Sequence, residues 1–147
     1  CAAGDSFRVY HSANVPKNIV DNQTINSKIF VTDVATINRA VVKVNITHSW
    51  DSDLDIALVA PTALNVDLTS DNGSSSDNYT NTILDQMCAS PVANGVAPFT
   101  GCYSPEASLA SLNNLSSSGS WTLYVGDDAG GDTGVLLGWD LILCTAP

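Results

Sequence analysis

Residues 119–143 read GSWTLYVGDDAGGDTGVLLGWDLIL, and no other stretch says as much about the architecture. Trp121, Leu123 and Val125 alternate with Thr122, Tyr124 and Gly126, the two-residue rhythm of a strand buried on one face. Trp139, Leu141 and Leu143 repeat that rhythm on the far side. Between the two runs lie Asp127, Asp128 and Asp132, set among Gly126, Gly130, Gly131 and Gly134. Asp and Gly are the residues that tight turns prefer, so the stretch predicts a β-hairpin with an acidic tip. Both tryptophans fall in phase with Leu and Val, which places them in a core and not on a sugar-stacking surface.

Most of the remaining chain also reads as strand. Residues 29–31, 40–46, 54–59 and 66–68 are rich in Val, Ile, Leu and Thr. Val42, Val44 and Ile46 share one face, opposite Val41, Lys43 and Asn45. Turn signals separate the runs: Asn14-Val-Pro16, Asp71-Asn-Gly73, Asn94-Gly95 and Ser118-Gly119. No segment keeps a helical apolar period beyond about two turns. One short helical turn is predicted over Glu106–Leu112, where Ser104-Pro105-Glu106 has the form of a helix start. The run DNGSSSDNYTN at 71–81 reads as a polar loop. Regularly spaced strands with polar turns predict an all-β, antiparallel sandwich or jelly roll. The length of 147 residues fits one domain, 1–147, and the final Thr145-Ala-Pro147 resembles the start of a linker from a larger protein.

Five Lys and Arg against 15 Asp and Glu give a net charge of −10. Such a surface repels phosphate, so neither nucleic acid nor anionic membrane is an expected partner. It draws divalent cations wherever carboxylates converge. No apolar run approaches the roughly 18 residues of a membrane span, and any signal peptide is expected to have been removed. The four cysteines, Cys1, Cys88, Cys102 and Cys144, form no CxxC pair of the zinc or redox kind. An even count on an acidic, Lys-poor chain predicts disulfides and a secreted protein. Three connectivities are open. The preferred one is Cys88–Cys102, closing a local loop, with Cys1–Cys144 joining the ends. An N-terminal cysteine also permits lipidation.

Two acidic groups carry the chemistry. In Asp51-Ser-Asp53-Leu-Asp55, a strand would send all three carboxylates to one face and Leu54, Ile56 and Leu58 to the other. Neighbours on that face sit about 7 Å apart, and a bound Ca²⁺ would convert their repulsion into attraction. An EF-hand is excluded, because Ile56 stands where the loop needs Gly and Thr62 where it needs Glu. A solvated acidic rim is the competing explanation. Asp127, Asp128 and Asp132 form the second group, and the two groups can meet at one end of a sandwich. Catalysis finds little support: there is no GxSxG elbow and no phosphate loop with Lys. His48, after a core strand, reads as a structural hydrogen-bonding residue, and His11 as exposed. Sequons at Asn22, Asn45, Asn72, Asn78 and Asn114 carry little weight in a chain so rich in Asn, Ser and Thr.

Two segments are similar to the P domain, the β-sandwich that follows the catalytic domain of kexin- and furin-like subtilases and of many secreted bacterial proteases. The first is His48-Ser-Trp50-Asp-Ser-Asp53-Leu54-Asp-Ile56-Ala-Leu58-Val-Ala-Pro61, which resembles the family's His-x-aromatic-x-x-Asp-Leu-x-Ile-x-Leu-x-x-Pro. The second is the 119–143 stretch, where Gly119, Trp121, Asp127, Gly131, Asp132, Gly134 and Trp139 fall in the family's order. Residues 81–85 and 97–105 look like the bacterial branch. The resemblance implies a galactose-binding-like jelly roll of about eight strands without catalysis of its own. It also implies a role in stabilising or folding a protease domain in the same parent chain, with Ca²⁺ as the cofactor and a protein substrate as a further partner. Asp53 and Asp127 match the family's acids, with Asp132 next, and Asp51, Asp55, Asp85 and Asp128 stand as helpers. Two features depart from the pattern: Thr62-Ala-Leu64 replaces the usual turn, and the cysteines flanking Pro98-Phe99 are an addition. The alternative function is a substrate-, carbohydrate- or surface-binding module.

Overall fold

A computed structural model describes all of residues 1–147 and places ten strands in two facing sheets. The strands are β1 (Ser6–His11), β2 (Lys17–Ile19), β3 (Thr24–Val31), β4 (Ile37–His48), β5 (Leu54–Val59), β6 (Asn65–Ser70), β7 (Tyr79–Asp85), β8 (Gly101–Tyr103), β9 (Gly119–Asp127) and β10 (Gly134–Thr145). One sheet runs β1-β10-β4-β7-β8, with β2 also paired to β10, and the other runs β3-β9-β5-β6. Every pairing is antiparallel except β7–β8. The all-β antiparallel sandwich is therefore as expected. Two three-residue strands, β2 and β8, take the count beyond the eight implied by the resemblance.

The hairpin expectation for 119–143 needs correction. β9 pairs with β3 and β5, whereas β10 pairs with β1, β2 and β4, so the strands flanking the acidic tip lie in different sheets. Alternation reports which face of a strand is buried, not which strand sits beside it. Residues 128–133 thus form an arch across the roughly 10 Å between sheets. Three more arches stand at the same end of the sandwich: β2 to β3, β4 to β5 and β6 to β7.

The interior is built from the faces that the alternation predicts. Trp121, Leu123 and Val125 of β9 are fully buried and face Leu136, Trp139, Leu141 and Leu143 of β10. Leu136 and Trp139 are three apart yet both inward, because a bulge between Leu136 and Gly138 shifts the phase against β4. Each indole finds a partner for its N–H: Trp121 Nε1 donates to Ser117 O at 2.8 Å and Trp139 Nε1 to Ser27 Oγ at 2.9 Å. A buried indole removes some 150–250 Å² from water, on the order of 4–6 kcal/mol in transfer terms.

Both preferred disulfides form, Cys1–Cys144 and Cys88–Cys102. The Cys1 thiol is thereby committed, which removes the lipidation alternative. Two local expectations change. The short helix is a 3-10 turn over Leu109–Leu112, capped by the Ser108 hydroxyl, so it begins three residues beyond Glu106. Glu106 instead accepts from Ser70 N at 2.8 Å and from Asn72 Nδ2 at 3.2 Å, tying two loops together. The polar loop ends at Asn78, because Tyr79 is fully buried, stacks on Phe99 at 4.6 Å between centroids, and opens β7. No helix is long and apolar enough to cross a membrane.

Candidate metal centre

The arched end of the sandwich gathers the acids. Its anchor is a contact between the sheets that follows from strand alternation. His48 continues the inward series Val42, Val44, Ile46 on β4, and Asp127 continues Trp121, Leu123, Val125 on β9. Both side chains are wholly buried and meet across the core, His48 Nε2 to Asp127 Oδ2 at 3.0 Å. Asp127 Oδ1 accepts from Asn22 N at 3.4 Å and Ala129 N at 3.3 Å. The other ring nitrogen of His48 lies 2.9 Å from Trp50 O. Gly134 pairs with His48 across the β10–β4 ladder, and a Cβ there would stand 2.0 Å from Thr47 O. Only glycine lets the strands close at this point. His48 thus has the structural role expected of it. His11 is exposed as expected and holds Asp140 at 2.7 Å.

Asp51, Asp53 and Asp55 do not share one strand face. Residues 51–53 form a 3-10 turn, with Asp53 N donating to Trp50 O, and β5 begins only at Leu54. The turn is the arch between sheets, and it fans the three carboxylates apart. Asp51 is buried beneath the 71–78 loop, where Gly73 packs on its Cβ. Burial pushes its carboxyl up to about 7, with His48 and a backbone contact at Asn78 opposing and Asp77 adding to the rise. Asp53 is buried beside the β9–β10 arch, where Asp128 N donates to its carbonyl at 3.0 Å. Its carboxyl is raised by burial first, then by the charges of Asp127 and Asp132.

Asp55 lies on the opposite face of β5 from Leu54 and Ile56. There its carboxylate meets those of Asp71 and Asp128, and one oxygen from each lies within 4.8 Å of the other two. Oδ1 of Asp55 is buried with no hydrogen-bond partner in the protein. Its carboxyl is raised by burial, opposed by a Ser70 hydrogen bond and reinforced by Asp71 and Asp128. The three acids come from three places in the chain: the start of β5, the loop after β6 and the β9–β10 arch. Within Asp71-Asn-Gly73, Asp71 reads from the sequence as a turn residue. It does occupy a turn, at φ 55°, and nothing in local sequence shows that this turn faces the other two acids.

The remaining candidates separate. Asp132 accepts from Ser49 Oγ at 2.7 Å at the rim. Asp85 stands apart on β7, where the Arg39 guanidinium grips both of its oxygens beside the Cys88–Cys102 bridge. Trp50 is partly exposed, while Trp121 and Trp139 belong to the core.

The model of the proprotein convertase P-domain family matches residues 37–143. No curated protein matches the chain. Among solved structures, the serine protease of Aeromonas sobria in complex with its chaperone ORF2 superposes with a TM-score of 0.59 at 17% identity, covering 97% of this chain and 26% of that one. The serine protease of Aeromonas sobria alone gives 0.58 at 17% identity, covering 95% of this chain and 26% of that one. The chain therefore spans about a quarter of the length of those proteins. At this identity the likeness is one of fold.

Proposed function

Because the chain belongs to the proprotein convertase P-domain family, we propose that it is the non-catalytic accessory domain of a secreted bacterial protease. In this reading it binds Ca²⁺ and supports the folding and stability of a catalytic domain in the same parent chain. The observation that carries the calcium part is the convergence of Asp55, Asp71 and Asp128, with one Asp55 oxygen buried and unpartnered. Calcium takes six to eight oxygens at about 2.3–2.6 Å, so carboxylate oxygens 4.8 Å apart or less can share one ion. Asp53 lies in the arch beside them, and Asp127 serves to position that arch by way of His48. When bound, the ion neutralises acids that otherwise repel, and it joins three segments distant in sequence.

The outer face of the larger sheet supports the accessory role. Phe7 and Val9, both outward on β1, are 62% and 36% exposed, and Val9 lies beside the half-buried Ile142 of β10. An apolar row of this kind suits contact with a neighbouring domain. On the smaller sheet the outward Phe30 and Tyr124 sit four rungs apart and form no contiguous aromatic patch. The test uses the full-length parent protein carrying Asp71→Asn or Asp128→Asn, refolded with and without Ca²⁺. The proposal predicts that wild type regains protease activity in a Ca²⁺-dependent manner and that the variants lose that dependence. Equal recovery in all cases would overturn it.

A further inference from the structure

β1 is the outermost strand of the larger sheet and pairs with β10 alone. Ser12 N donates to Trp139 O at 2.9 Å, and the β1–β10 register continues from that pair without a break. In an antiparallel ladder, residues that bond their partner alternate with residues whose backbone groups point away. Tyr10 and Arg8 therefore bond to β10, whereas the N–H and C=O of Phe7, Val9 and His11 point to the open edge. No backbone hydrogen bond outside the ladder reaches residues 6–11. An open edge of this kind is a template for one more strand.

The two faces beside that edge differ. Phe7 and Val9 face outward and are exposed. Arg8 and Tyr10 face inward, because their partners Leu143 and Leu141 are core residues. The core does not close over them: a cleft of about 470 Å³ lies between β1 and residues 33–36, which link β3 to β4. Arg8 is exposed in this cleft and takes part in none of the three ion pairs. Asp33 shares the cleft, but its Oδ2 accepts from the Tyr10 hydroxyl at 2.9 Å. An inward charge on an edge strand guards against indiscriminate pairing. Here the guard has open space before it, so an incoming acid satisfies the guanidinium and a neutral or basic side chain does not.

We propose that β1 docks an extended segment of a partner protein by strand addition, and that this segment carries one acidic residue between two apolar ones. Its backbone bonds to Phe7, Val9 and His11, its acid reaches Arg8 in the cleft, and its apolar side chains pack on Phe7 and Val9. Main-chain bonds supply the affinity and alternate side chains the specificity. A single acid suits the site better than an acidic run, because the chain itself carries a charge of −10. A second copy is a poor guest, since two-fold pairing centred on Arg8 sets that residue against its own copy. β1 starts beside Thr145, at the far end of β10 from Gly134 and His48. The inference therefore needs neither the calcium reading nor an attached domain.

The probe is an acetylated and amidated peptide, Thr-Val-Glu-Val-Thr, with Gln or Lys in place of Glu as controls. Binding to wild type, Arg8→Gln and Val9→Pro is followed by NMR titration and amide hydrogen exchange. Arg8 is exposed, and proline at position 9 removes a donor aimed at the open edge and no bond of the β10 ladder, so both variants keep the fold. With wild type at saturation, the amides of Phe7, Val9 and His11 are expected to exchange at least about tenfold more slowly. The Gln peptide is expected to bind at least about tenfold more weakly, as is the Glu peptide to Arg8→Gln. The Lys peptide is expected not to bind, and Val9→Pro is expected to bind none of the three. In Arg8→Gln the preference for Glu over Gln disappears. Absence of protection at those three amides, or equal affinity for the Glu, Gln and Lys peptides, would overturn the proposal. Protection that arises without peptide and grows with protein concentration would overturn it in favour of a second copy.

Discussion

Replacing Asp127 by Ala is expected to be among the most destabilising single changes in the chain. The substitution strands three donors at once: His48 Nε2 at 3.0 Å, Asn22 N at 3.4 Å and Ala129 N at 3.3 Å. Each unpartnered donor costs about 1–3 kcal/mol when water cannot reach it. Removing one partner of a buried pair costs about 3–5 kcal/mol in comparable cases, and that is the expected loss. At roughly 2–4 °C per kcal/mol for a domain of this size, the melting point falls by about 6–20 °C. Urea unfolding followed by the fluorescence of the buried Trp121 and Trp139 measures it, with chelator present so that cations do not enter. Asp127→Asn keeps the volume and one acceptor and is expected to cost under about 2 kcal/mol. A double-mutant cycle with His48→Ala isolates the contact between sheets, with a coupling of at least about 1 kcal/mol. Additive losses, or less than about 1 kcal/mol for Asp127→Ala, would refute the assignment of this pair as the link between sheets.

Gly134→Ala sets a Cβ 2.0 Å from the backbone oxygen of Thr47, so the β10–β4 ladder must open. The expected loss is about 1–3 kcal/mol or more, and a melting point within error of wild type would contradict it. Trp121→Phe leaves Ser117 O without its donor and opens space in the core. Chemical denaturation is expected to show a loss of about 2–4 kcal/mol. Converting Cys88 and Cys102 to Ser removes a bridge across 14 residues, worth about 3 kcal/mol by loop entropy. Removing Cys1–Cys144, across 143 residues, is expected to cost more, and the reverse order in melting points would count against the entropic account.

Sequence and structure agree where the signal is a side-chain period. The burial of Trp121, Trp139, Val42, Val44 and Ile46 follows from alternation alone, because a strand has only two faces. Partner choice carries no such signal. The 119–143 stretch reads as a hairpin because its turn chemistry is that of a hairpin, and only the sheet topology shows an arch. The candidate site follows the same division. Asp55 and Asp128 stand out as acids beside strands, and the convergence of two acidic groups at one end of a sandwich is legible in their positions. Asp71 is not legible, since it looks like any turn aspartate until the β6–β7 arch brings it to the other two. The alternation assumed for Asp51 and Asp53 fails because the chain crosses between sheets there and coils into a 3-10 turn. Asp85 sits on a strand as its neighbours suggest, but Arg39 lies two strand positions before Val41, the partner of Asp85 across the β4–β7 ladder, and claims it.

The most direct measurement is a calorimetric melt of wild type and Asp71→Asn, each with excess Ca²⁺ and with chelator. An ion present at 100 times its dissociation constant adds about 2.7 kcal/mol, or roughly 5–11 °C for a chain of this length. Wild type should show that shift, and Asp71→Asn should lose most of it while melting near wild type in chelator. Coincident wild-type curves with and without Ca²⁺ would contradict the proposed role of the acidic end of the sandwich.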